Sequence, residues 1–417
     1  MNAPGLEDNQ LPQMDEAHVI GDRGTELWRR TIPDLFKETV ASFSEREAAV
    51  FFEQGVRWTW SELDREVDAM AHGLLALGLT KGDRVGIWSP NRYEWILTQF
   101  ATARLGLILV TINPAYRVTE VEYVLKKVGC KALVTAARFK SSDYIGMLQE
   151  LAPELADCAP GDLQASKLPS LRAVICTGDE ETPGMIKFGT LVNGGRDGEP
   201  GALDAISQTL DPDDAINIQF TSGTTGAPKG ATLTHVNIIN NGRYTVAAQK
   251  LSETDRLCIP VPLYHCFGMV MGSLGCVATG STMVFPAEGF DPDSCLKAIS
   301  EENCTSVYGV PTMFVGMLQH PEFGNLDYSS LRTGIMAGAP CPIEVMKQCV
   351  SGMNLSEITI AYGMTETSPV SFQTSDSDPL ERRVSTVGRV HPHVECKIVD
   401  ETGNTVEPGI QGELCTR

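Results

Sequence analysis

Apolar positions along the chain alternate between two periods. Ser61 caps a helix whose apolar residues Leu63, Val67, Met70, Leu74 and Leu77 follow helical spacing, and Gly78 suits its C-terminal end. Residues 84–88 then read as a strand, 93–105 as a helix and 107–112 as a strand. Thr119 and Glu122 have the spacing of a capping box ahead of a buried face of Val121, Val124, Leu125 and Val128, closed by Gly129. Strands at 132–135 and 171–176 bracket a further helix near 144–155. Strand and helix alternating over short connections predict a parallel, doubly wound sheet.

The Gly-rich stretch 194–201 reads as a linker, and beyond it the pattern restarts. Strands are predicted at 257–260, 282–285, 306–310, 333–336 and 358–361. Helices fall between them, near 236–248, 269–278, 295–302, 312–318 and 343–350, and Asp291 with Pro292 supplies a cap and an N1 proline. After Tyr362 the helical signal fades, and 384–417 reads as short strands and turns. The predicted fold class is α/β: two doubly wound, mostly parallel sheets packed with helices, followed by an incomplete small β-barrel-like subdomain, with a C-terminal lid domain absent. The expected divisions are a poorly ordered leader over 1–25, α/β subdomains over 26–200 and 201–368, and a truncated β-rich part over 369–417.

Charge and cysteine content narrow the function classes. A formal charge of −20 over 417 residues argues against nucleic acid or an anionic membrane as the main partner. An anionic substrate then needs a local basic pocket. Twelve cysteines without a C-x-x-C pair fit buried thiols in a reducing compartment better than a disulfide framework or a zinc site. The acidic N-terminus has neither the apolar core of a signal peptide nor an Arg-rich amphipathic face. The most apolar stretch, 267–279, is short and interrupted by glycine, so no transmembrane segment is expected. The expected location is cytoplasmic.

The candidate chemistry centres on 215–240, where an apolar β-branched run leads into Thr221-Ser222-Gly223-Thr224-Thr225-Gly226-Ala227-Pro228-Lys229-Gly230. Glycines let the backbone approach a ligand, hydroxyls add donors, and Lys229 adds a point charge, which together suit a polyphosphate. A solvated hairpin loop has the same composition. A Walker loop is excluded: only two residues separate Gly223 from Gly226, and Gly230 follows the Lys where Ser or Thr is required. Ala361-Tyr362-Gly363-Met364-Thr365-Glu366 closes a strand at its carboxyl end, where open α/β sheets bind ligands; its aromatic, Gly, hydroxyl and acid can stack a base and hold a phosphate and a metal, or form a plain loop. Gly338-Ala339-Pro340 follows another strand and can also be a simple turn. Pro262-Leu263-Tyr264-His265-Cys266-Phe267-Gly268 places a His among aromatics, an arrangement shared with many core histidines.

The decapeptide at 221–230 resembles the phosphate-binding loop of the adenylate-forming superfamily, which includes acyl-CoA synthetases, luciferases and peptide-synthetase adenylation domains. The segments 113–117, 122–134 and 262–266 are similar to the medium-chain branch of its fatty acyl-CoA synthetases, and the resemblance covers nearly the whole chain. It implies a fatty acid–CoA ligase that uses fatty acid, ATP and CoA as substrates with Mg²⁺, binds no nucleic acid, and is compatible with a homodimer. By the same resemblance Thr221 to Gly226, Lys229, Gly338, Ala339, Pro340, Tyr362, Gly363 and Thr365 bind nucleotide, with Tyr362 stacking adenine and Thr365 holding the α-phosphate. Thr221 and Glu366 hold the metal, and Lys229, Thr365, Glu366 and His265 form the catalytic set.

His265 is assigned to positioning the substrate carboxylate, which is already ionised near pH 7 and needs no general base. His265, Phe267, Met269, Tyr308, Gly309 and Gly338 are the expected walls of the acyl pocket, although a Met stripe is usually core packing. Family members continue past position 417 with an Asp that binds ribose, a hinge and a mobile domain carrying a catalytic Lys. The expectation is therefore a fragment that binds nucleotide weakly with Mg²⁺, forms little acyl-AMP and makes almost no acyl-CoA. Alternatives are an aryl-acid ligase or luciferase-like enzyme, and a non-catalytic nucleotide-binding module.

Overall fold

Two sheets carry the core in the computed structural model, which describes residues 15–178, 180–199, 201–221 and 228–417. In the first, the strands lie in the order Ile186–Lys187, Ala173–Cys176, Ala132–Thr135, Arg84–Trp88, Ile108–Thr111, Ala215–Thr221 and Lys229–Thr234. All neighbours are parallel except the last pair. In the second, the order runs Val370–Gln373, Glu357–Gly363, Thr333–Ala337, Ser306–Gly309, Arg256–Cys258, Thr282–Phe285, Glu47–Phe51 and Val56–Thr59, with antiparallel pairs only at the two ends of this series. The chain does not fill the sheets in sequence order. The hairpin 47–59 joins the second sheet, and the hairpin 215–234 joins the first.

Between the sheets lies the largest apolar cluster, built from Val85, Ile87, Leu109 and Val134 on one side and Ala49, Phe51, Leu257 and Met283 on the other. Helix Tyr93–Arg104 runs inside it with every residue from Glu94 onward buried. That explains its polar side chains: Arg104, 2% exposed, reaches Asp68 at 3.0 Å and also pairs with Asp64. Helices Val118–Val128 and Tyr144–Leu151 cover the outer face of the first sheet, and Pro292–Glu301, Pro311–Leu318 and Ile343–Gly352 that of the second. Residues 28–388 thus form five layers, helices and sheets alternating.

Several boundaries differ from the sequence reading. Helix Trp60–Ala76 is capped by Thr59, not Ser61: the Thr59 hydroxyl accepts from Glu62 N–H, and the Glu62 carboxylate accepts from Thr59 N–H at 2.8 Å. Burying Trp60 completely is what starts the helix early. Helix Val118–Val128 likewise begins before Thr119, because Glu120 accepts from Arg117 N–H, while Glu122 pairs with Lys126 one turn on. Within the stretch 194–201, Gly194 and Gly195 complete helix Phe188–Gly195 and Gly201 stands at the N-cap of helix Ala202–Ser207, while Pro200 lies outside the described residues. The predicted helix 269–278 is π-wound over Phe267–Leu274 before an α turn at Gly275–Thr279. By contrast, Asp291 caps Pro292–Glu301 through Ser294 N–H, as its sequence predicts.

A smaller unit comprises, of the described residues, 15–27 together with Arg389–Arg417. Its antiparallel sheet pairs His18–Ile20 with Glu395–Val399, and that strand with Glu413–Thr416; it is not a closed barrel.

Candidate active site

Strand Ala215–Thr221 turns its side chains alternately to two cores. Ile218 and Phe220 face the outer helices, while Asn217 and Gln219 are buried on the inner face. The hairpin closes with Thr221 opposite Lys229. Both residues therefore stand at the mouth of the predicted phosphate loop; Ser222, Gly223, Thr224, Thr225 and Gly226 lie outside the described residues.

Strand Glu357–Gly363 delivers the second segment. Tyr362 stands opposite Phe372 on the return strand, with ring centroids 6.3 Å apart, and remains 39% exposed, so one face is open to a ligand. A Cβ on Gly363 would meet Pro369 O at 1.8 Å, which makes glycine obligatory where the two strands close. Asn241 fixes the return strand by donating to Val370 O at 2.8 Å and accepting from Val370 N–H at 3.0 Å. In the intervening turn Thr365 is buried and Glu366 exposed, and the Thr221 hydroxyl donates to Glu366 Oε1 at 3.0 Å. Two segments 145 positions apart thus meet through the pair assigned to the metal.

A cavity of about 650 Å³ opens at the end of strand Glu357–Gly363, lined by Gly338 to Cys341, Ile360 to Gly363 and Val384 to Val387. It brings Gly338, Ala339 and Pro340 together with Tyr362 and Gly363. His265 keeps its surface partly open although protein crowds the ring, and that crowding lowers its imidazole pKa. Its Nδ1 accepts from Phe267 N–H at 3.2 Å, which leaves the proton of the neutral ring on Nε2 as a donor. Phe267, Met269 and Tyr308 are also brought together, but as filled core. The rings of Phe267 and Tyr308 lie 5.5 Å apart, Tyr308 OH accepts from Gln249 at 2.8 Å, and Gly309 is packed by Phe314.

A second space, about 380 Å³, lies where strand order reverses in both sheets, after Arg84–Trp88 and Ala132–Thr135 in one and after Arg256–Cys258 and Ser306–Gly309 in the other. Phe139, Phe290 and Met313 supply apolar walls, and Tyr264 borders it beside His265. Arg117 donates to Ser142 Oγ at 3.0 Å, and Lys140 sits 5.3 Å from the Phe139 ring; both cations are exposed, with no carboxylate partner among the described residues. Arg117 lies in the 113–117 segment without a role assigned to it there, and Lys140 lies in no distinctive run. Cys266 lies in the 262–268 segment, likewise without a role, and Gln219 has none either; the Cys266 thiol donates to Gln219 Oε1 at 3.0 Å, close to Thr365. The sequence shows each residue but not that they pair.

Comparison with known proteins agrees with this geometry. The sequence profile of the family described as AMP-binding enzyme matches residues 36–417. The medium-chain acyl-CoA ligase ACSF2, mitochondrial, of Danio rerio is 45% identical over 410 residues, spanning 98% of this chain and 68% of the relative. The Macaca fascicularis protein of the same name is 43% identical over 413 residues, spanning 98% and 67%. Among solved structures, a long-chain-fatty-acid-CoA ligase (FadD1) from Archaeoglobus fulgidus superposes with a TM-score of 0.79 at 20% identity, covering 96% of this chain and 77% of the other, and so shares the fold. A pair of doubly wound sheets, a Thr221–Glu366 contact at the mouth of a Gly-rich loop and a profile match over most of the chain lead to one conclusion: this chain belongs to the family of AMP-binding enzymes.

Proposed function

We propose that the protein activates a medium- to long-chain fatty acid with ATP, forming acyl-AMP and pyrophosphate and then acyl-CoA. The observation that carries the reading is the 3.0 Å contact between Thr221 and Glu366, which joins the phosphate hairpin to the strand end bearing Tyr362. The names of the relatives support the acyl-CoA ligase chemistry and the medium chain length.

In this reading adenine enters the cavity between Gly338–Pro340 and the free face of Tyr362, which places the α-phosphate over Thr365. The Nε2–H of His265 orients the substrate carboxylate for in-line attack on the α-phosphorus. Lys229, fixed opposite Thr221, stabilises charge on the departing pyrophosphate. One carboxylate beside one hydroxyl, both hard oxygen donors open to solvent, fits Mg²⁺, which keeps most of its waters and takes few protein ligands. Thr221 and Glu366 would hold it, and its charge would offset that of the phosphates.

We assign the space at the two strand-order reversals to CoA. Arg117 and Lys140 are cations without carboxylate partners in an acidic chain, and apolar walls beside them suit a phosphorylated cosubstrate with a flexible arm. Free thiols throughout the chain support a reducing, cytoplasmic setting, and no helix among the described residues is long and apolar enough to cross a membrane. A panel of carboxylic acids in a pyrophosphate-release assay tests the reading. Release is expected with aliphatic acids, and preference for benzoates over them would replace it with an aryl-acid ligase.

A further inference from the structure

We infer that Cys266 and Gln219 are positioning residues for Thr365, a buried thiol–amide pair that sets the height of the turn facing the α-phosphate. The inference rests on the adenylating reading and extends it to two residues that touch no substrate. Gln219 is 2% exposed, and both ends of its amide are occupied: Oε1 accepts from Cys266 Sγ at 3.0 Å, and Nε2 faces Met269 Sδ at 3.6 Å. Cys266 is wholly buried; its thiol also meets the Thr365 hydroxyl, and the Glu366 carboxylate lies near enough to act on it.

The contacts close into a ring. Gln219 and Thr221 share one strand, Thr221 donates to Glu366, Glu366 adjoins Thr365, Thr365 meets Cys266, and Cys266 returns to Gln219. Three segments far apart in sequence are thereby held in one register. Cys266 also sits between His265 and Phe267, so the loop that orients the carboxylate is tied to the turn that holds the phosphate.

The chemistry of the thiol suits this role. Burial pushes its pKa up to about 12, so it stays a donor at any working pH while its sulfur remains free to accept. A purely apolar filler at 266 would leave the buried Gln219 amide oxygen without its partner and remove the thiol beside Thr365, which favours rearrangement of the turn. Small displacements of reacting groups are costly to rate even where stability is kept.

The test compares C266A, C266S and Q219L with the unsubstituted protein. Calorimetry gives the affinity for Mg²⁺·ATP, acid-dependent pyrophosphate release gives kcat and KM for ATP, and thermal unfolding gives Tm. C266A is expected to slow release about tenfold and to weaken ATP binding several-fold with little change in Tm. C266S restores a donor and an acceptor and should return most of both losses. Q219L should resemble C266A, and the double variant should be no worse than the worse single one, because both break the same ring. Wild-type kinetics in C266A would overturn the inference, and so would a C266S variant as impaired as C266A. A loss that only tracks the unfolded fraction would reduce the pair to packing. Should the unsubstituted protein neither bind ATP nor release pyrophosphate with any acid, the adenylating reading falls and takes the inference with it; that failure is read before any variant is made.

Discussion

Lys229 closes its hairpin opposite Thr221, at the point where pyrophosphate leaves in the proposed reaction. A point charge there acts mainly on the transition state, so Lys229→Ala should lower turnover by about 2–4 kcal/mol in activation free energy while ATP affinity changes less. An unchanged rate of pyrophosphate release would remove Lys229 from the site. Arg117 and Lys140 predict the opposite split. Replacing either with Ala should raise KM for CoA and leave acid-dependent pyrophosphate release unaltered, since adenylation precedes CoA binding; a loss of adenylation would contradict the assignment of that space. At this scale the sequence was informative where chemistry is concentrated in a short run, as in 221–230 and 361–366. It was silent where function comes from pairing across the fold. Gln219 and Cys266 are ordinary residues until the strand and the loop are brought within 3.0 Å.

Elements were legible where one face is apolar and the other wet, as in helix Val118–Val128 with its stripe of Val121, Val124 and Leu125. The helix predicted at 93–105 also stands at Tyr93–Arg104, but its burial on all sides and the inward placing of its polar residues were not legible. Caps were misplaced by one or two residues because several side chains near a helix start can accept, and packing decides among them; the burial of Trp60 selects Thr59 over Ser61. The Gly-rich stretch at 194–201 misled for a related reason. Glycine also marks close helix crossings, and a Cβ on Gly195 would lie 1.9 Å from Ala69 O. Helix propensity alone favours Gly195→Ala by about 1 kcal/mol. The clash is with backbone and cannot be relieved by a rotamer change, so it should win, giving a net destabilisation of about 1–3 kcal/mol read as a lower Tm. A raised Tm would show that the two helices separate freely.

Across the whole molecule, strands from each half of the chain complete the opposite sheet, a placement that no local pattern encodes. His235 sits at one such junction. It is fully buried at the start of the helix following the phosphate hairpin, and its Nδ1 accepts from Ile32 N–H at 3.0 Å. Burial lowers its pKa from 6.5 to about 4, against weaker opposing effects of Asp214 and Asp34. The folded state therefore keeps His235 neutral, and the unfolded state binds the extra proton first as pH falls. Its contribution is complete above pH 6.5 and is lost on the way down to about 4, at a total cost of about 3 kcal/mol. Chemical denaturation should show stability falling over that window, less steeply in a His235→Gln variant; identical slopes would assign the acid sensitivity elsewhere.

The central claim is that hairpin and strand end form one Mg²⁺-dependent nucleotide site able to hold an acyl adenylate. Calorimetry with a non-hydrolysable acyl-AMP mimic and with ATP, each with and without Mg²⁺, measures it directly. The expected result is ATP binding that strengthens with Mg²⁺ and loses that dependence in Glu366→Gln, with the mimic binding at least about a hundredfold tighter than ATP. ATP affinity indifferent both to Mg²⁺ and to Glu366→Gln, together with a mimic no tighter than ATP, would contradict it.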